Sequence, residues 1–521
     1  MNLGMYIARS ARFWGERPAI LFRDRAVTYA ELERRSNQLA HALLALGLQR
    51  GDRVAVVSPN RPEIVELECA LYKVGLVKVA LNSRLAAGEL ADALANAEPV
   101  ACLAGPEHQA MVDEAAAHLP TLRHRIAFTP VVAQAPWLAY EELLAAQPDT
   151  HIHVDMRPEE LAVLHYTSGS TGKLKAAMQT VGNRMASLRK VIMGRMHASP
   201  GDVLMLCGPI THASGMFIQP MLYQGATLLL MEGFRPPEIL QAIEKHGVTM
   251  CFFVPAMIYA LLAEPSIKTR DLSSLRLVSY GAAPMSPARI REAWAAFGPV
   301  LSQGYGAGET TGGVVGLTIT DHARAIEGDR PELLSACGRP FCESDVQVLD
   351  EQGQPVQGDA IGEICVRGPD VFSGYWRAPE QSRDAFDAQG WLRTGDLARV
   401  DREGYIFIVD RKKEMLVSGG FNVYPSEVES VLAQHPAVYE VCVVGVPDDH
   451  WGETVKAVVV LREGARAGGD EIMDFCRGRL ADFKRPRSVD FVPQLPKNGN
   501  GKLSRKDVRE HYWRGRERRV N

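Results

Sequence analysis

Cysteine is sparse and unpatterned in this 521-residue chain. Its nine residues (Cys69, Cys102, Cys207, Cys251, Cys337, Cys342, Cys365, Cys442, Cys476) are odd in number and never spaced as CxxC, which argues against a zinc site or disulfide framework and fits reduced core thiols. An excess of one charge sign is also missing. With 58 Lys+Arg against 62 Asp+Glu and a formal net charge of -4, the chain has no general attraction for phosphate backbones or anionic lipid, so no nucleic-acid partner is expected. Any anion it handles must be held locally. No apolar run is long enough to span a bilayer: the longest, Val248 to Ala263, is interrupted by Pro255 and predicts strand, turn and helix. The N-terminus lacks a continuous apolar core followed by a small-residue cleavage site, so the expectation is a soluble, cytoplasmic protein with no integral membrane segment. Internal repeats and low-complexity tracts are absent as well.

What is present is globular composition, 46% hydrophobic and 23% charged, over a length that predicts more than one domain. Thr28 with Glu31 makes a capping box, followed by apolar residues at helical spacing through Leu39, Leu43 and Leu46 until Gly47. Strand-like runs at Arg53–Ser58, Leu161–His165 and Leu275–Tyr280 alternate with such helices, one of them opened by Ser286 and Pro287. This alternation predicts an α/β chain whose large N-terminal domain holds largely parallel sheets. After about Cys337 the texture becomes short β runs, including Glu363–Arg367 and Tyr405–Val409, which predict a small β-rich subdomain. A charged knot, Asp410 to Glu414, precedes a helix from Ser426, strands at Val441–Val446 and Lys456–Leu461, and a helix from Asp470 to Phe483. The expected division is 1–410 and 411–521, the second part a small α+β domain.

Chemistry concentrates in loops. Tyr166-Thr-Ser-Gly-Ser-Thr-Gly-Lys173-Leu-Lys175 follows an apolar strand and is dense in glycine and hydroxyls, so its N–H and O–H groups can turn inward on a polyphosphate. It is not a Walker A loop: only two residues separate Gly169 from Gly172, where four are needed, and Leu174, not Ser or Thr, follows Lys173. Five further stretches stand downstream in order: Ser279-Tyr-Gly-Ala-Ala-Pro284, Gln303-Gly-Tyr-Gly-Ala-Gly-Glu309-Thr, Trp391-Leu-Arg-Thr-Gly-Asp396, Asp410-Arg-Lys-Lys413 with Ser418 to Pro425, and Pro496 to Arg505.

Together these segments, spanning about two thirds of the chain from Tyr166 to Arg505, resemble the acyl-adenylate-forming (AMP-binding) superfamily of acyl-CoA synthetases, peptide-synthetase adenylation domains and firefly luciferase. The resemblance implies ATP, Mg²⁺ and coenzyme A as cofactors and co-substrates. It implies that Thr167, Ser168, Gly169, Ser170, Thr171, Gly172 and Lys173 grip phosphate, that Gly281, Ala282, Ala283 and Pro284 receive adenine, and that Gly304, Tyr305, Gly306 and Thr310 flank the nucleotide. Glu309 becomes the magnesium carboxylate, Asp396 and Arg411 the ribose contacts, Lys413 the hinge of a mobile C-terminal domain, and Lys502 the catalytic lysine. His212, in Pro209-Ile-Thr-His-Ala-Ser-Gly215, is similar to a histidine beside the acyl carboxylate. Two departures stand out: Gly308 and Asn498 replace residues that are commonly Thr or Ser, and Thr, respectively. With Gly308 one hydroxyl contact to phosphate is lost, for which Thr310 or Thr311 is expected to compensate.

The physical logic agrees. A carboxylate must be placed in line with the α-phosphorus while charge on departing pyrophosphate is neutralised, a task for lysine and a magnesium ion. Amino-acid-activating relatives commonly carry Asp near the position of His212, which argues against an amino acid. The segments Ile210–Ile218, Ser279–Pro284 and Gln303–Leu317 contain no Lys or Arg, so a neutral acyl group is expected, in a slot lined by Met216, Phe217, Tyr280, Val314, Val315 and Leu317. The implied activity is an AMP-forming carboxylic acid:coenzyme A ligase, with medium- or long-chain fatty acids ahead of benzoate- or cinnamate-like aryl acids. A luciferase-like monooxygenase and a non-catalytic ATP-binding module are the alternatives, and a homo-oligomer stays open.

Overall fold

The computed structural model describes residues 2–129, 136–168, 174–418, 421–448, 452–497 and 503–514. Two large mixed sheets dominate. The first has seven strands in the spatial order Trp137–Ala139, His124–Ala127, Ala101–Ala104, Arg53–Val57, Val77–Ala80, Leu161–Ser168 and Leu174–Thr180. All its pairs are parallel except the last, a hairpin that registers Thr167 against Lys175. Nine strands form the second, with Leu301–Ala307, Leu277–Gly281, Met250–Phe253 and Val203–Leu206 adjacent and parallel. Its edges turn antiparallel, through Gly312–Leu317 on one side and Arg25–Thr28 on the other. Parallel centres with antiparallel edges bear out the expectation of largely parallel sheets: a hairpin closes an edge without needing a crossover helix.

The strands Arg53–Val57 and Thr227–Leu230 read as unbroken apolar runs because both of their faces are covered by helices. The helix Tyr29–Ala45 begins where Thr28 Oγ1 accepts from the Glu31 N–H at 3.1 Å. Only half of the expected box is used, since the Glu31 carboxylate turns outward to Arg25 at 2.7 Å. A four-stranded antiparallel sheet, Asp345–Leu349, Gly362–Arg367, Leu392–Val400 and Ile406–Arg411, forms the β-rich subdomain.

The smaller C-terminal α+β domain pairs Val438–Asp448 with Gly452–Leu461, which in turn pairs with Ser488–Phe491. Its helix expected over 470–483 is shorter, Gly469–Phe475. Gly478 sits at φ +73° and turns the chain, yet Leu480 and Phe483 still pack on the core formed with Val428, Val443 and Ile472, so the apolar spacing continued past the end of the helix. Among the described residues, no helix is long and apolar enough to cross a membrane.

Candidate active site

The hairpin of Leu161–Ser168 and Leu174–Thr180 carries the glycine and hydroxyl loop at its tip. Residues Gly169, Ser170, Thr171, Gly172 and Lys173 lie outside the described residues, as does Lys502. Their flanks are in place. Thr167 pairs with Lys175, whose Nζ sits 5.1 Å above the ring of Tyr375, and Lys497 bridges Leu503. The Tyr375 hydroxyl donates to Glu309 Oε1 at 2.8 Å, and the Phe372 N–H donates to the Glu309 carbonyl at 2.8 Å. The magnesium candidate is thus positioned by Tyr375, a residue outside the motifs the sequence offers; its only signal is the aromatic cluster around Gly374.

At the carboxyl end of Leu277–Gly281 the chain turns through Ala282 at φ +65°, a left-handed conformation that costs an alanine on the order of 1 kcal/mol. Gly281 pairs with Gly304 on the neighbouring strand. Carboxyl ends of parallel strands are where open α/β sheets bind ligands. One residue on, the Tyr305 hydroxyl donates to Asp396 Oδ2 at 2.6 Å, while Asp396 Oδ1 lies 3.1 Å from Arg411 Nε across the pair Leu392–Val400 and Ile406–Arg411. Burial and the Asp396 charge push the Tyr305 phenol well above its ordinary range.

Arg411 is held above its usual value: burial opposes, and Asp396, Glu414, Tyr305 and Glu309 raise it. Lys413 is lowered, by burial first and then by Arg411, with Lys175 also repelling it. Both side chains keep exposed surface, as groups on the wall of an open cleft do. Among the described residues Asp410 pairs with no lysine; Oδ1 accepts the Arg411 N–H at 2.7 Å and Oδ2 the Ser426 N–H at 2.9 Å. Lys412 Nζ reaches Glu363 at 3.3 Å, and Arg505 joins Glu414 and Glu429.

His212 stacks on His165 with centroids 5.0 Å apart and planes 19° from parallel. Burial, then the charges of His212, Arg184 and Lys78, hold His165 well below the ordinary imidazole range. His165 also explains Gly308: a Cβ there would lie 2.6 Å from His165 Cδ2 and 2.8 Å from Thr167 Cγ2. Thr310 and Thr311, the hydroxyls expected to compensate, differ in their surroundings. Both are buried, the Thr310 hydroxyl is engaged inside its own turn with the Ala307 N–H and the Gly312 carbonyl, and the Thr311 hydroxyl has no partner among the described residues.

The apolar slot needs the larger correction. Strand alternation turns Tyr280 to the far side of its sheet, where its hydroxyl meets His322 Nε2 at 2.9 Å and the ring packs with Trp294 and Leu317. Val314 and Val315 pack with Ile364, Val366 and Ile406 of the four-stranded sheet. Of the six expected lining residues only Met216 and Phe217 lie outside these two cores. Two arginines outside the three segments come instead from the helix Val181–Gly194 and its end: Arg184 Nη1 contacts Met216 Sδ at 2.9 Å, and Arg195 Nη2 donates to Ser279 Oγ at 3.0 Å. The segments do lack Lys and Arg, but their surroundings do not, so the expectation of a neutral acyl group loses its premise.

A two-sheet N-terminal domain joined by a β subdomain to a small α+β domain, with a tyrosine-held carboxylate just past Leu301–Ala307 and a tyrosine-held aspartate within Leu392–Val400, defines an acyl-adenylate-forming enzyme. The chain belongs to the AMP-binding enzyme family, which it matches over residues 7–376, with the family's C-terminal domain at 427–502; it is an acid–thiol ligase of the AMP-forming acyl-CoA synthetase type. It is 37% identical to the medium/long-chain-fatty-acid–CoA ligase FadD8 of Mycobacterium tuberculosis, over 97% of this chain and 89% of that one. It is 39% identical to the feruloyl-CoA synthase of an Amycolatopsis species, over 98% and 99%. The solved structure of the amide bond synthetase McbA from Marinactinospora thermotolerans is 33% identical and superposes with a TM-score of 0.88, covering 98% of this chain and 99% of that one.

Proposed function

We propose that this chain joins a carboxylic acid to coenzyme A in two steps at the cleft bounded by Glu309, Asp396 and Arg411, with a boundary between its two parts at residues 410 and 411. In the first, an acid oxygen bonds the α-phosphorus of ATP and pyrophosphate leaves with the electrons of the broken P–O bond. In the second, the thiol sulfur bonds the acyl carbon and AMP leaves. The gathering of Lys175, Arg411 and Lys413 carries this reading: Arg411 and Lys175 both repel the Lys413 cation, which Glu414 and Asp396 offset only in part, and a polyphosphate stabilises such a group of cations.

Residues 167–173 hold the phosphates and Lys502 neutralises charge on the transferring group. Asp396 receives the ribose hydroxyls, for although Tyr305 and Arg411 each engage one oxygen, both oxygens keep a free lone pair. Adenine lies along Gly281, Ala282, Ala283 and Pro284 against Tyr305. Glu309 fits Mg²⁺: Tyr375 engages Oε1 and leaves Oε2, a hard donor, for the ion. No group of three or more His, Cys, Asp or Glu suited to a metal occurs among the described residues, which accords with an ion whose remaining ligands are phosphates and water. When bound, Mg²⁺ offsets phosphate charge. His212, held flat by His165, lies beside the acyl carboxylate. Lys413 is the pivot between the two steps.

The test is a panel of fatty and aryl acids assayed for pyrophosphate release with and without coenzyme A. Acid-dependent release with thioester formed only when coenzyme A is present is the expected result. Release by no acid, or oxygen uptake with light emission, sinks the reading.

A further inference from the structure

Arg195 follows the last residue of the helix Val181–Gly194 and lays its guanidinium on three strands at once. Nη2 donates to Ser279 Oγ at 3.0 Å on Leu277–Gly281. A Cβ on Gly304 would collide with Nη2, and one on Gly313 would lie 2.6 Å from Nη1. The glycines of Leu301–Ala307 and Gly312–Leu317 therefore make the room that the cation fills. Phe217, from the His212 segment, and Phe341 place ring centroids 5.6 Å away on the other sides. The cation thus lies among the three segments that frame the acyl site.

Its charge is unmatched. The buried cations among the described residues each have a carboxylate: Arg35 pairs with Glu66, Lys73 with Glu33, Lys78 with Glu68, Arg184 with Glu68 and Lys190 with Asp370. Among the described residues Arg195 has none, its Nε is buried without a partner, and Ser279 Oγ is its one oxygen acceptor. Burial alone pulls its pKa down to about 10, so it stays charged at neutral pH. Five donors with a single acceptor leave a desolvated cation that the two aromatic faces offset in part. Taken as a whole, Arg195 is half-buried, with its Nε covered by the fold.

We infer that Arg195 sets the acyl specificity of the proposed ligase by receiving an oxygen acceptor, a carboxylate foremost, at the end of the acid remote from the reacting carboxyl. A guanidinium edge matches a carboxylate in two parallel hydrogen bonds. Ser279 precedes Gly281 of the adenine turn by two residues, about 7 Å of strand, which sets the reach of the acid at one aromatic ring or a handful of methylenes. The inference rests on the ligase reading for its substrate, and on the unpaired cation for its chemistry.

Two matched pairs test it: heptanedioate against heptanoate, and 3-(4-hydroxyphenyl)propanoate against 3-phenylpropanoate. In the wild type, kcat/KM for pyrophosphate release favours the oxygenated member at least about 10-fold. Arg195→Met brings that ratio to within about threefold of one, and Arg195→Lys keeps part of the preference for heptanedioate. Methionine suits the space between Phe217 and Phe341, and urea unfolding of Arg195→Met reports its folding. Wild-type preference for the plain acids, or a ratio unchanged in Arg195→Met, overturns the inference while the ligase reading stands. Absence of release with every acid overturns the ligase reading instead. Calorimetric affinities of the same four acids for wild type and Arg195→Met then decide the role of Arg195: a preference lost in the variant supports it, and equal affinities overturn it.

Discussion

The imidazole of His165 occupies the space beside Glu309 that a side chain at Gly308 would need, with only 2.6 Å between His165 Cδ2 and a Cβ at that position. The glycine is therefore the partner of His165 and not a lost hydroxyl. Gly308→Thr is expected to destabilise the protein by about 1–3 kcal/mol, the usual cost of overpacking. Adding His165→Ala should recover more than half of that loss. Urea unfolding of both single variants and the double variant measures the coupling, and strictly additive losses contradict the contact.

Tyr305 reaches Asp396 at 2.6 Å, and hydrogen bonds to charged groups contribute about 1.5–3 kcal/mol. Tyr305→Phe keeps the ring for adenine but leaves one carboxylate oxygen without its donor. The KM for ATP should rise about 10-fold while the KM for the acid changes less. Equal rises in both would place Tyr305 outside the ribose site.

His322 lies beneath the same sheet, its Nε2 meeting the Tyr280 hydroxyl at 2.9 Å and its Nδ1 the Thr318 carbonyl at 2.8 Å. This pairing suits the neutral ring. Burial lowers its pKa from the ordinary 6.5 to about 4. The unfolded chain takes up the proton first as pH falls, so this stability is fully present above pH 6.5 and is lost progressively down to about pH 4, by about 3 kcal/mol in total. His322→Gln should show a shallower loss of urea midpoint between pH 7 and pH 5 than the wild type. Parallel slopes would mean that the ring is already protonated in the folded protein.

Motifs with local geometry were legible from residue order. Asp396 and Arg411, expected from their motifs to act together, are joined through strand register, and the two domain textures were visible in the spacing of short β runs. The misses arise from tertiary contact. Tyr375, 66 residues from Glu309, carries no motif. Tyr280 looked like pocket lining because the segment containing it does border the site, but alternation sends its side chain to the other face. Arg195 went unseen because a pocket defined by three segments ignores the helix packed over them. Local pattern identifies which strand ends meet a ligand; it does not show which distant side chain fills the space between them.

The proposed hinge at Lys413 can be tested by substitution. Lys412 is tied to the four-stranded sheet twice, through Nζ to Glu363 at 3.3 Å and through its N–H to the Gly395 carbonyl at 2.9 Å. On the far side, Glu414 is tied by Arg505 to Glu429 of the C-terminal domain. Lys413 alone lies between these anchors, and its N–H has no backbone partner among the described residues. Proline at 413 would then remove no such bond while fixing φ near −65° and disfavouring helical backbone at Lys412. If the two half-reactions use two orientations about this residue, Lys413→Pro should slow thioester formation from a supplied acyl-adenylate at least about 30-fold and slow adenylate formation far less. If the charge of Lys502 serves the phosphate step as proposed, Lys502→Ala should do the reverse, because a contact of that kind supplies on the order of 3 kcal/mol, or about 100-fold. Single-turnover rates of both steps in both variants separate the roles, and a Lys413→Pro enzyme with both rates at wild-type values places the pivot elsewhere.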